Sequence, residues 1–137
     1  MTTTAVSAPT TTVVTRFLAG IEAGDVPADL YAPDAVLDAT VPGWRFRAEG
    51  PEAIAAEYGR WFGLPSRMEE LERHSLPGGV EVIRYLHSFT EEGERRAAHH
   101  CHLLTVIDDR IANDTVFCGG RWPAAALAAM GLTVHAG

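Results

Sequence analysis

Three of the chain's six histidines, His99, His100 and His102, fall within four consecutive residues, His-His-Cys-His. Near neutral pH an imidazole can donate or accept a proton, and a carboxylate beside it fixes its tautomer and raises its basicity. The run sits in a stretch, 95–122, where two β-rich segments flank a polar break at Asp108-Asp109-Arg110. That pattern predicts a long antiparallel hairpin. A solvated strand face rarely carries so many histidines, and an apolar core rarely tolerates them. The hairpin therefore reads as the floor of a polar-lined cavity.

Side chains alternate along a strand, so parity decides what meets in that cavity. A three-residue loop, Asp108 to Arg110, would put the even residues of both strands together and set His100 and His102 beside Asp114, Val116 and Cys118. A two-residue loop would instead join His102 to Thr115 and Asn113. The longer loop is preferred because it gathers a carboxylate and two imidazoles on one surface, although a one-residue slip would swap every side chain. On the preceding segment, Tyr85 and His87 share a face with Ile83 and Phe89, where a histidine between aromatics suits a ligand carbonyl or hydroxyl. The plainer alternatives are surface or structural histidines beside an exposed Asp114, and a core His87 satisfied by backbone or water.

Other chemistries are excluded more easily. The His-His-Cys-His run cannot close a tetrahedral zinc site alone, because alternate residues point to opposite faces. No Gly-rich phosphate loop follows a strand, and there is no nucleophile elbow. No flavin or nicotinamide site is indicated. A net charge of −7 argues against nucleic acid or an anionic membrane as partner. No apolar run is long enough to span a bilayer. The two cysteines, Cys101 and Cys118, suit a disulfide under neither loop length and read as free thiols in a reducing, cytoplasmic setting.

The elements that must position these residues follow from periodicity. At 137 residues, 47% hydrophobic and 21% charged, the chain predicts one globular domain over 13–137 after a Thr-rich disordered lead-in over 1–12. Val13, Val14, Phe17, Leu18 and Ile21 mark an amphipathic helix that Gly24 stops. Asp25 would cap a short second helix holding Leu30 and Tyr31. Ala35 to Val41 reads as a strand, turning at Pro42-Gly43 into Trp44-Arg45-Phe46-Arg47. Gly50-Pro51 opens a third helix with Ile54, Tyr58, Trp61 and Phe62 as its buried stripe. Strands from Arg67 and Val80 precede the hairpin, and Pro123 to Met130 is a tail helix. Helices and a small β-unit followed by a four-stranded meander predict an α+β fold in which a sheet curls around helices.

Phe17-Leu-Ala-Gly-Ile-Glu-Ala-Gly-Asp25, Leu30-Tyr-Ala-Pro-Asp-Ala-Val36, Gly50-Pro-Glu-Ala-Ile54 and the turn around Asp109-Arg110-Ile111 together resemble the nuclear transport factor 2-like superfamily, in its SnoaL-like and ketosteroid isomerase-like branch. The resemblance covers nearly everything from Val13 to Trp122. It implies a cone: a strongly bent antiparallel sheet wrapped around three helices, with a deep apolar pocket. Family members include isomerases, polyketide cyclases, dehydratases and pure binding or dimerisation modules, so the resemblance implies a fold more sharply than an activity. Matching the Gly93 turn to that of ketosteroid isomerase places His102 where an acidic donor meets the substrate oxyanion; matching the closing strand places Cys101 there. In SnoaL-like cyclases an Asp on the last strand acts as acid/base, and Asp114 is the nearest counterpart. Asp38 lies one residue before the isomerase's base position, which is Ala39 here. Glu22 and His74 fall near positions used by scytalone dehydratase, although Glu22 also reads as solvated and Asp25 as a helix cap. Metals and cofactors are not expected in this branch.

The function these readings imply is a small cofactor-independent enzyme performing acid/base proton transfer on a hydrophobic, polyketide- or steroid-like molecule by cyclisation, isomerisation or dehydration. The expected catalytic residues are Asp114, His102, His100 and His87. Phe17, Tyr58, Trp61, Tyr85, Val116 and Trp44 are expected to contact the substrate. The competing class is a non-catalytic ligand-binding or dimerisation module. A homodimer is expected through the outer sheet face, where Cys101, Leu103, Thr105, Thr115 and Phe117 would leave an apolar patch.

Overall fold

A computed structural model describes residues 8–135. Helix α1 (Ala8–Ala23) is followed by a 3₁₀ turn (Ala28–Leu30), strands β1 (Tyr31–Val41) and β2 (Trp44–Glu49), helix α2 (Pro51–Trp61), strands β3 (Arg67–Leu76), β4 (Val80–Glu91), β5 (Glu94–Ile107) and β6 (Arg110–Pro123), and helix α3 (Ala124–Ala129). The strands form one sheet in the order β2-β1-β6-β5-β4-β3. This is the α+β cone expected from the element order, with α1, the 3₁₀ turn and α2 against one face of the sheet. Neighbouring strands run antiparallel except β1 and β6, which are parallel, so the sheet is mixed.

Several boundaries differ from the sequence reading. Residues 1–7 of the expected lead-in lie outside the described residues, and α1 already begins at Ala8. The expected second helix is a single 3₁₀ turn with Pro27, not Asp25, at its N-cap position. Tyr31 starts β1 instead of ending a helix, because extended backbone there lets it pair with Ile111 on β6. Pro33 is tolerated within β1 at a register irregularity between Tyr31 and Val36.

The hairpin loop also differs, and its consequence is cancelled. Ile107 pairs with Arg110, so the loop has two residues, Asp108 and Asp109, both in the left-handed region at φ 50° and 63°. Such a turn matches the twist of the flanking strands, and Asp tolerates the conformation. Alone it would have turned the odd face of β6 inward. An extra residue, Ala112, bulges between the Val106–Ile111 and Thr105–Asn113 pairs and shifts the register by one. His102 therefore faces Val116, His100 faces Cys118, and the even residues share the inner face after all. A second irregularity takes up Gly119 and Gly120. Gly120 has φ 105°, a conformation open to glycine and poorly open to other residues.

The core lies between the helices and the inner sheet face: Val14, Phe17 and Ile21 of α1, Ile54 and Tyr58 of α2, and Leu37, Ala39, Ile83, Tyr85, Leu104, Ile111 and Val116 of the sheet. Fully burying each large side chain contributes roughly 1.5–3 kcal/mol relative to exposure. The tail helix α3 packs on the opposite face, where Leu127 joins Leu86 and Ala97, with Trp122, Leu132 and Val134 around them.

Candidate functional site

The β4, β5 and β6 strands present Tyr85, His87, His100, His102, Asp114 and Val116 to the interior, all at most 3% exposed. Asp114 and His102 are completely buried, and their Oδ1 and Nδ1 atoms stand 2.9 Å apart. The other carboxylate oxygen, Oδ2, accepts hydrogen bonds from the Tyr31 hydroxyl at 3.1 Å and from the Tyr58 hydroxyl. On the far side of the imidazole, His102 Nε2 lies 2.8 Å from the Tyr85 hydroxyl. All three tyrosines of the chain thus direct their hydroxyls at one Asp–His pair.

Burial, and next the charge of Asp114, pushes all three phenols well above their usual range, so they remain protonated. Tyr31 and Tyr58 are then donors to the carboxylate. Asp114 favours the Nδ1–H form of His102, leaving Nε2 to accept from Tyr85 whenever the ring is neutral. Phe17 of α1 packs edge-on to the His102 ring at 5.1 Å between centroids, and Tyr85 stacks on it at 5.4 Å. Asp114, His102 and Tyr85 form a continuous hydrogen-bonded line enclosed by apolar rings.

Two further histidines sit beyond Tyr85. His87 and His100 have ring centroids 5.1 Å apart, each 5.4 Å from the ring of Tyr85. His87 Nδ1 meets Ser66 Oγ at 2.9 Å, whereas His87 Nε2 and both ring nitrogens of His100 are buried without a hydrogen-bond partner. Burial, reinforced by the Arg121 guanidinium, lowers the pKa of His87 to about 4. Burial, with His87 beside it, also holds His100 well below the usual imidazole range. Both rings are neutral at pH 7. Phe62 and Trp61 close over His100, at 4.7 and 5.5 Å between centroids.

A cavity of about 270 Å³ opens at this end, with Trp61, Phe62, Leu64, His87, Phe89 and Arg121 in its wall. Its lining does not include Asp114, His102 or Tyr85, which lie deeper in the cone. Trp61 also walls a larger outer groove of about 510 Å³, shared with Val41, Pro42, Trp44 and Phe46. Trp44 is 69% exposed on β2 and lines that groove, not the histidine cavity.

The structure thus brings together Asp114, His102, Tyr85, Tyr58 and Phe17, places His100, His87 and Trp61 one layer further out, and leaves Trp44 apart. Val116 is a core residue opposite His102. Asp38 pairs instead with Arg45 through two bonds of 2.9 and 2.6 Å, while its neighbour Ala39 is the one that faces inward. His74 is exposed beside Glu72, and Glu22 lies at the surface, 3.4 Å from the Met68 amide. Cys101 and Cys118 are free, and Cys101 faces the outer side with Arg84 and Phe117 as strand partners. Among the described residues no helix is long and apolar enough to cross a membrane. Tyr31 and Ser66 were missed by sequence reasoning; the signal for Tyr31 was its presence among only three tyrosines, the other two of which were already expected at the pocket.

No protein-family model matches the chain, and no curated protein does. Among solved structures it is similar to a nuclear transport factor 2-like protein of unknown function from Mesorhizobium loti, at 23% identity and a TM-score of 0.67, over 87% of this chain and 98% of that one. It is also similar to a protein from a study of de novo design of diverse pocket structures, at 15% identity and a TM-score of 0.59, over 79% of this chain and 96% of that one. The chain has the nuclear transport factor 2-like fold, a fold that holds a pocket.

Proposed function

We propose that this protein binds a small hydrophobic molecule in the histidine cavity and moves a proton next to one of its carbonyl or hydroxyl groups, without a cofactor. The observation that carries this reading is the Asp114–His102–Tyr85 line, whose outer end meets the neutral pair His87 and His100. Asp114 is saturated by three donors, so its role is to hold His102 in one tautomer rather than to touch substrate. Neutral His100, whose ring nitrogens have no other partner, takes the proton from the substrate carbon. Tyr85, kept protonated and held in place by His102, turns its one O–H from His102 Nε2 to the developing oxyanion; His100 then returns the proton. Substrate reaches Tyr85 when Phe62 and Trp61 shift from the rings they cover.

The test is exchange of the α-protons of β-tetralone for deuterium, followed by NMR. The native protein is expected to accelerate exchange, and Tyr85→Phe and His102→Gln, each checked for native folding by circular dichroism, to lose most of that acceleration. Exchange no faster than in buffer would favour the second reading, a pure ligand-binding module. One observation supports that second reading: the Asp114 network is internally satisfied and lies outside the cavity lining.

The same proposal includes a homodimer through the outer sheet face. Leu103 and Phe117 are 38% and 49% exposed there, beside half-buried Cys101, Thr105 and Thr115. Such an apolar stripe on adjacent strands suits a self-complementary interface. Light scattering is expected to give twice the chain mass, and Phe117→Lys to halve it.

A further inference from the structure

Among the described residues, the buried polar side-chain atom of the cavity wall that lacks a partner is His87 Nε2. Arg121 donates to Glu91 at 3.1 Å and to the carbonyl of Trp61, and its guanidinium lies 5.3 Å over the Phe89 ring. Arg60 pairs with Glu57. The charges around the mouth are therefore already matched. His87 is 3% exposed, lines the cavity and has no partner for Nε2. A buried polar atom without a partner destabilises the fold, so a group that satisfies it is strongly favoured there.

Which group it needs follows from Ser66. The Ser66 hydroxyl donates its single proton to the Ile21 carbonyl at 3.3 Å. Its oxygen must then accept from His87 Nδ1, 2.9 Å away, which fixes the proton of the neutral ring on Nδ1. His87 Nε2 is consequently a bare lone pair buried in the wall of a cavity that mixes aromatic rings with Arg60, Glu91 and Arg121. A shift of Phe62, whose ring lies 5.2 Å from that of His87, opens it to a ligand. The nearby Arg121 and the ring's burial both oppose adding a proton to it.

We propose that His87 Nε2 selects an uncharged ligand whose ring-bound hydroxyl, phenol or enol, donates a hydrogen bond to it. The inference rests on the cavity being the ligand site proposed above and goes beyond it by naming the group recognised. A carboxylate or an ether brings only lone pairs to a lone pair, and Arg121, already engaged by Glu91, gives an anion little compensation. An enol carries the required O–H where its parent ketone does not, so the same atom would favour the enol form over the ketone.

Three probes share one ring system: β-naphthol, its methyl ether and β-naphthoate. Calorimetry on the full chain is expected to show β-naphthol binding about tenfold or more tighter than either of the others, the worth of one buried neutral hydrogen bond. Ser66→Ala removes the acceptor that fixes the tautomer and is expected to erase most of that preference while the ether still binds. Nitrogen NMR of histidine-labelled protein gives an independent readout, in which His87 should be in its Nδ1–H form. Equal binding of the ether, tighter binding of the naphthoate, or an Nε2–H tautomer would each overturn the inference while leaving the cavity a ligand site. Binding of none of the probes would overturn both.

Discussion

Two histidines two residues apart on the same face of β5 meet opposite fates. His102 has a carboxylate on one nitrogen and a phenol on the other, while both nitrogens of His100 are buried without a partner. The polar groups around His102 come from β1, α2, β4 and β6, so four elements converge to satisfy one Asp–His pair. Around His100 stand the rings of Trp61, Phe62, Tyr85, His87 and His102, with Cys118 opposite it on β6. The inner region is finished as it stands and holds the fold in register. The outer region is left polar and incomplete beside a cavity, at a cost in stability.

That contrast can be broken most severely at Asp114. Asp114→Ala strips the acceptor from Tyr31, Tyr58 and His102 at once, and about 3–5 kcal/mol of unfolding free energy should be lost in urea titrations at pH 7. Acid sharpens the contrast from the other side. His87 has its folded pKa lowered to about 4, so between an unfolded value near 6.5 and that point the unfolded chain binds more protons. Stability is full above about pH 6.5 and falls as pH drops toward 4, by up to about 3 kcal/mol from this residue. His100 adds to the loss in the same direction. Unfolding curves at pH 4.5 and 7 are expected to differ less in His87→Phe than in the native protein. The smallest effect should come from His100→Leu, which removes unpartnered atoms only. It is expected to change stability by no more than about 1 kcal/mol, on the stabilising side, whereas any equivalent change at His102 would destabilise. A strongly destabilised His100→Leu would show that His100 has a partner in solution and erase the contrast.

Much of this arrangement was legible in the sequence, and the gaps have physical causes. The element order, the Gly50-Pro51 helix start and the inward face of Ile83, Tyr85, His87 and Phe89 follow from local periodicity. The pairing of His102 with Asp114 was reached through a three-residue loop that is not there. A two-residue turn and the bulge at Ala112 give the same parity, and no local residue announces a bulge that lacks glycine. Tyr31 was read as helical because nearby Leu30 and Asp25 suit a helix. What extends it is its pairing with a strand some eighty residues later, a contact local propensity does not see. Trp44 was expected to contact the substrate, but on the edge strand β2 its side chain stands in the open. The convergence of three tyrosine hydroxyls was invisible for the same reason: each comes from a different element.

The parallel seam between β1 and β6 also has a bearing on how the molecule is made. Its two strands stand at opposite ends of the chain, and the Tyr31–Asp114 bond spans 83 residues. During synthesis from the N-terminus, Tyr31 and Tyr58 emerge long before the carboxylate that receives them. Until β6 appears, the apolar flank of β1 is an open edge, of the kind that recruits other strands. Closure of so long a loop is slow, and a nascent chain stalled before Asp114 would carry the β1–β2 hairpin and the β3–β4–β5 meander without the strand that joins them.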